Sequence, residues 1–305
     1  MPNPLPFASA PGEPRLGSAR YLVQDVGAAV AVWRDLIGLQ VQSRDAQGAR
    51  LGLGGREMVR LTAGATAPAP ARALGLFHLA VHVPRRADLA QVAQRMRANG
   101  RRHSGQDHLM SIALYCDDAD GNGIEIAFDT PGRGRIEVAT DFSFRAETDD
   151  GAPHTLLEPL NIDALVAELP SDAGAGGGLP DGAFLGHIHF RTNARAAMFA
   201  FYTKVIGLRP NINSPAMKFC DTGVPSRNHM VAFNMWGGAG LPVRDRGAAG
   251  LASYALMLPD AQALYALRGR LEAAGAVAAD EDDGLACRDP EGNLVRFGML
   301  DSASG

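Results

Sequence analysis

Two stretches decide the architecture: Gly27-Ala-Ala-Val-Ala-Val-Trp-Arg-Asp-Leu-Ile-Gly-Leu39 and Arg195-Ala-Ala-Met-Phe-Ala-Phe-Tyr-Thr-Lys-Val-Ile-Gly-Leu208. Their shared Ile-Gly-Leu lies 169 positions apart (Gly38 and Gly207), with Trp33 opposite Tyr202. Each reads as an amphipathic helix stopped by glycine, the aromatic ring packing the helix onto a sheet. A second pair, Gly75-Leu-Phe-His-Leu-Ala-Val-His-Val-Pro84 and Gly250-Leu-Ala-Ser-Tyr-Ala-Leu-Met-Leu-Pro259, is strand-like and offset by 175 (Pro84 and Pro259). Each of these strands leads into a helical pattern ending in glycine, at Gly100 and Gly275, and later into a turn, Asp118-Ala-Asp-Gly-Asn122 or Asp289-Pro-Glu-Gly-Asn293. A repeat of this length sets the fold before any single residue is interpreted.

Four units of strand, helix and several strands follow, at about 15–64, 75–130, 184–236 and 250–299. The fold class is α+β, with four βαβββ units paired into two open-barrel halves, because one unit cannot bury both faces of its sheet. The boundaries are 14–132 for an N-terminal half, 133–183 for a connecting segment and 184–301 for a C-terminal half. Within the connector a short helical pattern runs from Asn161 to Glu168, and Ala173-Gly-Ala-Gly-Gly-Gly178 reads as a flexible linker. Residues 1–13 and 301–305 read as frayed tails.

Composition narrows the function. The chain has 305 residues, 29 Lys plus Arg against 33 Asp plus Glu, and a net charge of −4, which offers no footprint for a phosphate backbone. Nucleic acid is thereby excluded as an expected partner. No run reaches the roughly 18 apolar residues of a membrane span, and Met1-Pro-Asn-Pro-Leu-Pro lacks a signal peptide's charged and apolar regions, so the expected location is the cytoplasm. Cys116, Cys220 and Cys287 show no CxxC spacing and read as small buried hydrophobes. The acidic run Asp280-Glu-Asp-Asp283 reads as a solvated hairpin turn, without the ligand spacing of a calcium loop.

Three strings carry more specific chemistry: Phe77-His78, Leu185-Gly-His-Ile-His189, and Asp107-His-Leu-Met-Ser-Ile-Ala-Leu-Tyr-Cys-Asp-Asp-Ala-Asp-Gly-Asn-Gly-Ile-Glu125. With them the chain resembles the vicinal oxygen chelate superfamily, in particular its two-half extradiol dioxygenases of the catechol 2,3-dioxygenase kind. The resemblance implies a facial triad of two histidines and one glutamate that holds Fe(II), or alternatively Mn(II), and leaves positions for a chelating diol and O2. It places the second histidine at His78 and the glutamate at Glu125, makes His108 the acid–base group and makes Tyr115 a hydrogen-bond donor to the diol. The expected partners are a small aromatic substrate and O2, with self-association through sheet edges also open.

The first histidine should stand at position 18, which is Ser18, so the N-terminal triad reads one ligand short. In the C-terminal half His187 is present, but Ser253 and Arg296 stand opposite His78 and Glu125. Another nearby histidine, His108 or a water would then complete the site. His187, His189 and His229 read as structural, and His82 as lying further from the site or at its rim. The competing functions are a metal-free protein that sequesters a small aromatic compound and a glyoxalase-like lyase.

Overall fold

The computed structural model describes residues 10–139, 144–174, 176–278 and 284–300. The first unit runs β1 (Arg15–Val23), α1 (Val26–Ala31), β2 (Gln40–Arg44), β3 (Gly48–Leu53) and β4 (Arg56–Ala63). The second comprises β5 (Gly75–His82), α2 (Arg86–Ala98), β6 (Ser104–Asp107), β7 (Ser111–Asp117) and β8 (Gly123–Asp129). The connector folds as a hairpin, β9 (Gly134–Val138) and β10 (Phe144–Thr148), then β11 (Glu158–Pro159) and α3 (Ile162–Ala167). The third holds β12 (Phe184–Arg191), α4 (Arg195–Ala200), β13 (Arg209–Ser214), β14 (Phe219–Val224) and β15 (Arg227–Asn234). The fourth holds β16 (Gly250–Leu258), α5 (Ala261–Ala273), β17 (Val277–Ala278), β18 (Leu285–Arg288) and β19 (Leu294–Met299).

The helices start and stop where their side chains dictate. The Asp25 carboxylate accepts the Ala28 amide at the head of α1, and Asp260 accepts Ala263 at the head of α5. Both α1 and α4 widen into a π-helical turn, Val32–Ile37 and Phe201–Ile206, each ended by a glycine at φ +103° or +91°. Arg95 on α2 is buried and donates to the carbonyls of Leu36 and Ile37, closing the end of that turn. Arg270 on α5 repeats the contact with Val205 and Ile206. The offsets of 169 and 175 are thus repeated in the packing of helix against helix.

Pairing of the units differs from their order in sequence. The eight-stranded sheet runs β17-β18-β19-β16-β1-β4-β3-β2, and the nine-stranded sheet runs β11-β6-β7-β8-β5-β12-β15-β14-β13. Unit one therefore joins unit four through antiparallel β1 and β16, and unit two joins unit three through antiparallel β5 and β12. The segments 14–132 and 184–301 each contribute one unit to each sheet. Both edges of the exchange are backbone ladders, so the choice of partner lies in how the units close over one core. That core is continuous and includes Trp33, Leu79, Phe190, Tyr202 and Tyr254.

Two expectations about flexible segments change. Gly177 accepts a hydrogen bond from Arg95, and Leu179 donates to Gly38 at 2.8 Å, so this end of the glycine run is seated on the end of the first helix. A Cβ at Gly38 would meet the Leu179 nitrogen at 2.8 Å, so glycine permits the approach. In the N-terminal tail, Glu13 accepts the Ser226 amide, which ties residues 10–13 to unit three. The tails 1–9 and 301–305 and the run 280–283 lie outside the described residues. No helix among the described residues is long and apolar enough to cross a membrane.

Candidate metal centre

In the nine-stranded sheet, β5 lies between β8 and β12, and Ala80 is the point around which the site is built. Glu125 on β8 is its register partner on one side, and His187 on β12 is its partner on the other. His78 precedes Ala80 by two residues, so strand alternation sets all three side chains on one face. Leu79, Ile124 and Ile126 point the opposite way into the core. Ala80 is too short to fill the space among the three functional groups.

His187 reaches this face because β12 carries a β-bulge. Leu185 pairs with Val81 and His187 with Ala80, leaving Gly186 as the extra residue. In regular pairing Gly186 would oppose Ala80, and His187 would oppose Leu79 and point into the core. The bulge reverses that. Ser18 stands on β1 in the other sheet, so it is not the place where this site takes its third ligand. His187, read from the sequence as structural, is brought beside His78 and Glu125 because unit three, not unit one, lies across β5.

Among the described residues, His78, Glu125 and His187 form a group of potential metal ligands, all three buried. His78 Nε2 lies 3.0 Å from Glu125 Oε2, His187 Nε2 lies 3.1 Å from the same oxygen, and the two imidazole nitrogens are 3.3 Å apart. Three donors on adjacent corners of an octahedron with bonds of about 2.1–2.3 Å are separated by about 3.0–3.3 Å, so the triangle fits a divalent ion bound on one face. Burial alone would raise the Glu125 carboxyl, but His187 and His78 hold it well below the usual carboxylate range. Burial likewise pushes the His187 imidazole well below its ordinary value, which keeps its lone pair available.

The other two expected residues stand beside the triangle. Tyr115 on β7 is the register partner of Glu125, and its ring centroid is 5.5 Å from that of His78. Burial, reinforced by Glu125, raises its hydroxyl well above the ordinary tyrosine value, so it stays protonated. His108 Nε2 is 2.7 Å from the Tyr115 hydroxyl, while its Nδ1 is 2.5 Å from the Leu156 carbonyl in the connector. Since a carbonyl only accepts, Nδ1 carries the proton and Nε2 accepts from Tyr115. Both residues border a cavity of about 1510 Å³ whose lining also includes Phe77, Phe219 and Trp236.

Sequence reasoning missed what lies behind the triangle. His82 lies further back than the triangle and is buried, with Nε2 3.1 Å from His187 Nδ1 and Nδ1 3.1 Å from Asp129 Oδ1. Asp129 Oδ2 in turn accepts from Arg227 Nη2 at 3.3 Å. The period-two spacing of His78, Ala80 and His82 put His82 on the site's face, but nothing local showed its partners. His189 sits against Asn234 at 3.0 Å, and His229 Nδ1 lies 2.7 Å from Asp221. The cysteines match expectation: all three are buried, and burial pushes their thiols up to about 12.

Comparison with known proteins agrees with this architecture. Residues 15–126 match the family described as the Glyoxalase/Bleomycin resistance protein/Dioxygenase superfamily. A catechol-2,3-dioxygenase of Bacillus subtilis (strain 168) is 26% identical over 286 residues, covering 92% of this chain and 96% of that protein. Among solved structures, one from Bacillus subtilis subsp. subtilis str. 168, provisionally assigned as a dioxygenase, superposes with a TM-score of 0.63 at 12% identity, covering 93% of this chain and 84% of that one. A mutant glyoxalase I from Zea mays gives 0.56 at 16% identity, covering 94% and 92%.

Proposed function

We propose that this chain, whose residues 15–126 match the Glyoxalase/Bleomycin resistance protein/Dioxygenase superfamily, is an extradiol-type dioxygenase that cleaves a catechol-type ring beside its two hydroxyls. The observation that carries the reading is the triangle of His78 Nε2, Glu125 Oε2 and His187 Nε2, with all sides between 3.0 and 3.3 Å. His78, Glu125 and His187 would hold Fe(II), with Mn(II) as the alternative. When bound, the ion supplies the open positions at which a chelating diol and O2 meet. O2 is the oxidant, and both its atoms end in the ring-opened product. The relative named a catechol-2,3-dioxygenase supports the same chemistry.

The chain's residues supply orientation and proton movement. Tyr115, kept protonated by burial and by Glu125, gives its proton to the hydrogen bond with His108 Nε2 and accepts from a diol hydroxyl placed beside Glu125, and it donates back to that diol oxygen once the proton has passed. His108, with its proton held on Nδ1 by the Leu156 carbonyl, accepts at Nε2 and takes the diol proton through the Tyr115 hydroxyl. Phe77, Phe219 and Trp236 offer apolar surface to a flat ring. A cavity of about 1510 Å³ accommodates a ring with further substituents.

Anaerobic reconstitution with Fe(II), metal quantification, and then exposure to catechol and air tests this reading. The expected result is about one iron per chain, as one facial triad requires, and a yellow ring-cleavage product. Protein that takes up no iron and forms no product would refute it, and iron-free protein that still binds catechol would be a sequestration protein.

A further inference from the structure

Behind the three donor atoms runs a series of buried and half-buried polar groups across four adjacent strands, β12, β5, β8 and β15, that the proposed chemistry does not use. An imidazole that offers Nε2 to an ion must carry its proton on Nδ1, and a buried N–H needs an acceptor. For His187 that acceptor is His82 Nε2, at 3.1 Å. His82 Nε2 can accept only if the His82 proton is on Nδ1, and Nδ1 faces Asp129 Oδ1 at 3.1 Å. Asp129 is kept a carboxylate by Arg227, whose Nη2 donates to Oδ2 at 3.3 Å and whose guanidinium does not lose its proton. Arg227 Nη1 also approaches His82 Nδ1, at 3.5 Å, but the shorter 3.1 Å contact with Asp129 Oδ1 places the proton on Nδ1 and sets the direction of the series.

The backbone is shaped to admit this arrangement. A Cβ at Gly186 would lie 2.0 Å from His82 Cδ2 and 2.5 Å from His82 Nε2, so the residue that forms the bulge also leaves the space His82 occupies. Arg227 is fixed from a second side by its stacking over the Phe184 ring, 4.8 Å to the centroid.

We propose that His82, oriented by Asp129 and Arg227, is a positioning residue that holds His187 with Nδ1 protonated and so presents its Nε2 lone pair to a divalent cation. The inference rests on the metal reading of His78, Glu125 and His187. Groups in this position commonly change metal affinity by about 10–100-fold.

The test measures Mn(II) binding to the full-length apo protein by electron paramagnetic resonance, for wild type, His82→Leu and His82→Gln. Leucine fills the space without an acceptor; glutamine presents a carbonyl oxygen to His187 and an amide N–H to Asp129. The expected result is affinity about 10–100-fold weaker for His82→Leu and within about threefold of wild type for His82→Gln. In the Zn(II)-loaded wild type, an exchange-protected imidazole N–H proton of His187 should appear by NMR and be lost in His82→Leu. Leucine binding as tightly as wild type, or glutamine as weakly as leucine, would overturn the proposal. If His82→Leu does not fold, Asp129→Asn serves in its place, with weaker binding expected and unchanged binding overturning the proposal. Wild type that binds no Mn(II), or binds it as well after Glu125→Gln, would instead sink the metal reading on which this inference stands.

Discussion

Gly186→Ala tests whether the bulge and the space for His82 are one device. The new Cβ would lie 2.0 Å from His82 Cδ2, where ordinary contact begins at 3.4 Å, so the ring must retreat by about 1.4 Å. Overpacking of this kind costs about 1–3 kcal/mol. Gly186 is not among the positive-φ residues, so alanine returns about 0.5–1 kcal/mol by restricting the unfolded chain. The net loss should be about 1–2 kcal/mol, read from the urea midpoint of the apo protein. The same retreat carries His82 Nε2 from 3.1 Å out of hydrogen-bond range of His187 Nδ1, so Mn(II) affinity should fall about 10–100-fold. Pairing the change with His82→Ala separates the two effects. Without the ring there is no clash, so Gly186→Ala should then be neutral or slightly stabilising, while metal affinity stays low. An equal stability loss in both backgrounds, or none in either, would refute the reasoning.

Other expectations follow from the same structure. Ser18→His, on the eight-stranded sheet, should leave Mn(II) affinity unchanged in a binding titration, because the third side chain of the proposed triangle, His187, stands on β12 in the other sheet. Although burial opposes it, His82 and Arg227 hold the Asp129 carboxyl down at about 2. Its folded value lies below its unfolded one, so its contribution of about 2 kcal/mol is present above pH ~4 and lost as pH falls toward 2. Urea titrations across that window should show a shallower acid loss for Asp129→Asn than for wild type. Arg95→Met should cost about 2–3 kcal/mol, since it strips charged donors from the buried Leu36 and Ile37 carbonyls. Arg270→Met should cost less, because its side chain lies nearer the surface, and additive denaturation midpoints would show that the two helix ends act independently.

Much of the site could be read locally. Strand alternation put His78, Ala80 and His82 on one face, and the string from Asp107 to Glu125 brought His108, Tyr115 and Glu125 into one unit. All four expected residues do meet, because β5, β7 and β8 belong to a single unit whose register is set by short connections. The helix stops at Gly38 and Gly207 were equally legible, since a left-handed cap is a property of one residue and its neighbours.

His187, His82 and their supports were not legible in that way. The alignment of repeats made Ser18 the counterpart of His187 and suggested a missing ligand, yet a repeat reports which positions are equivalent, not which copies touch.

By itself the sequence determined the four units, the helix ends and the face on which each histidine lies, because these follow from periods of two and 3.6 residues and from single capping groups. The tertiary structure alone decided that unit two pairs with unit three, and that one extra residue at Gly186 turns His187 to the side of Glu125. Backbone edges carry no address: every unit offers the same N–H and C=O ladder, and the partner is selected only when all the apolar faces close over a common core.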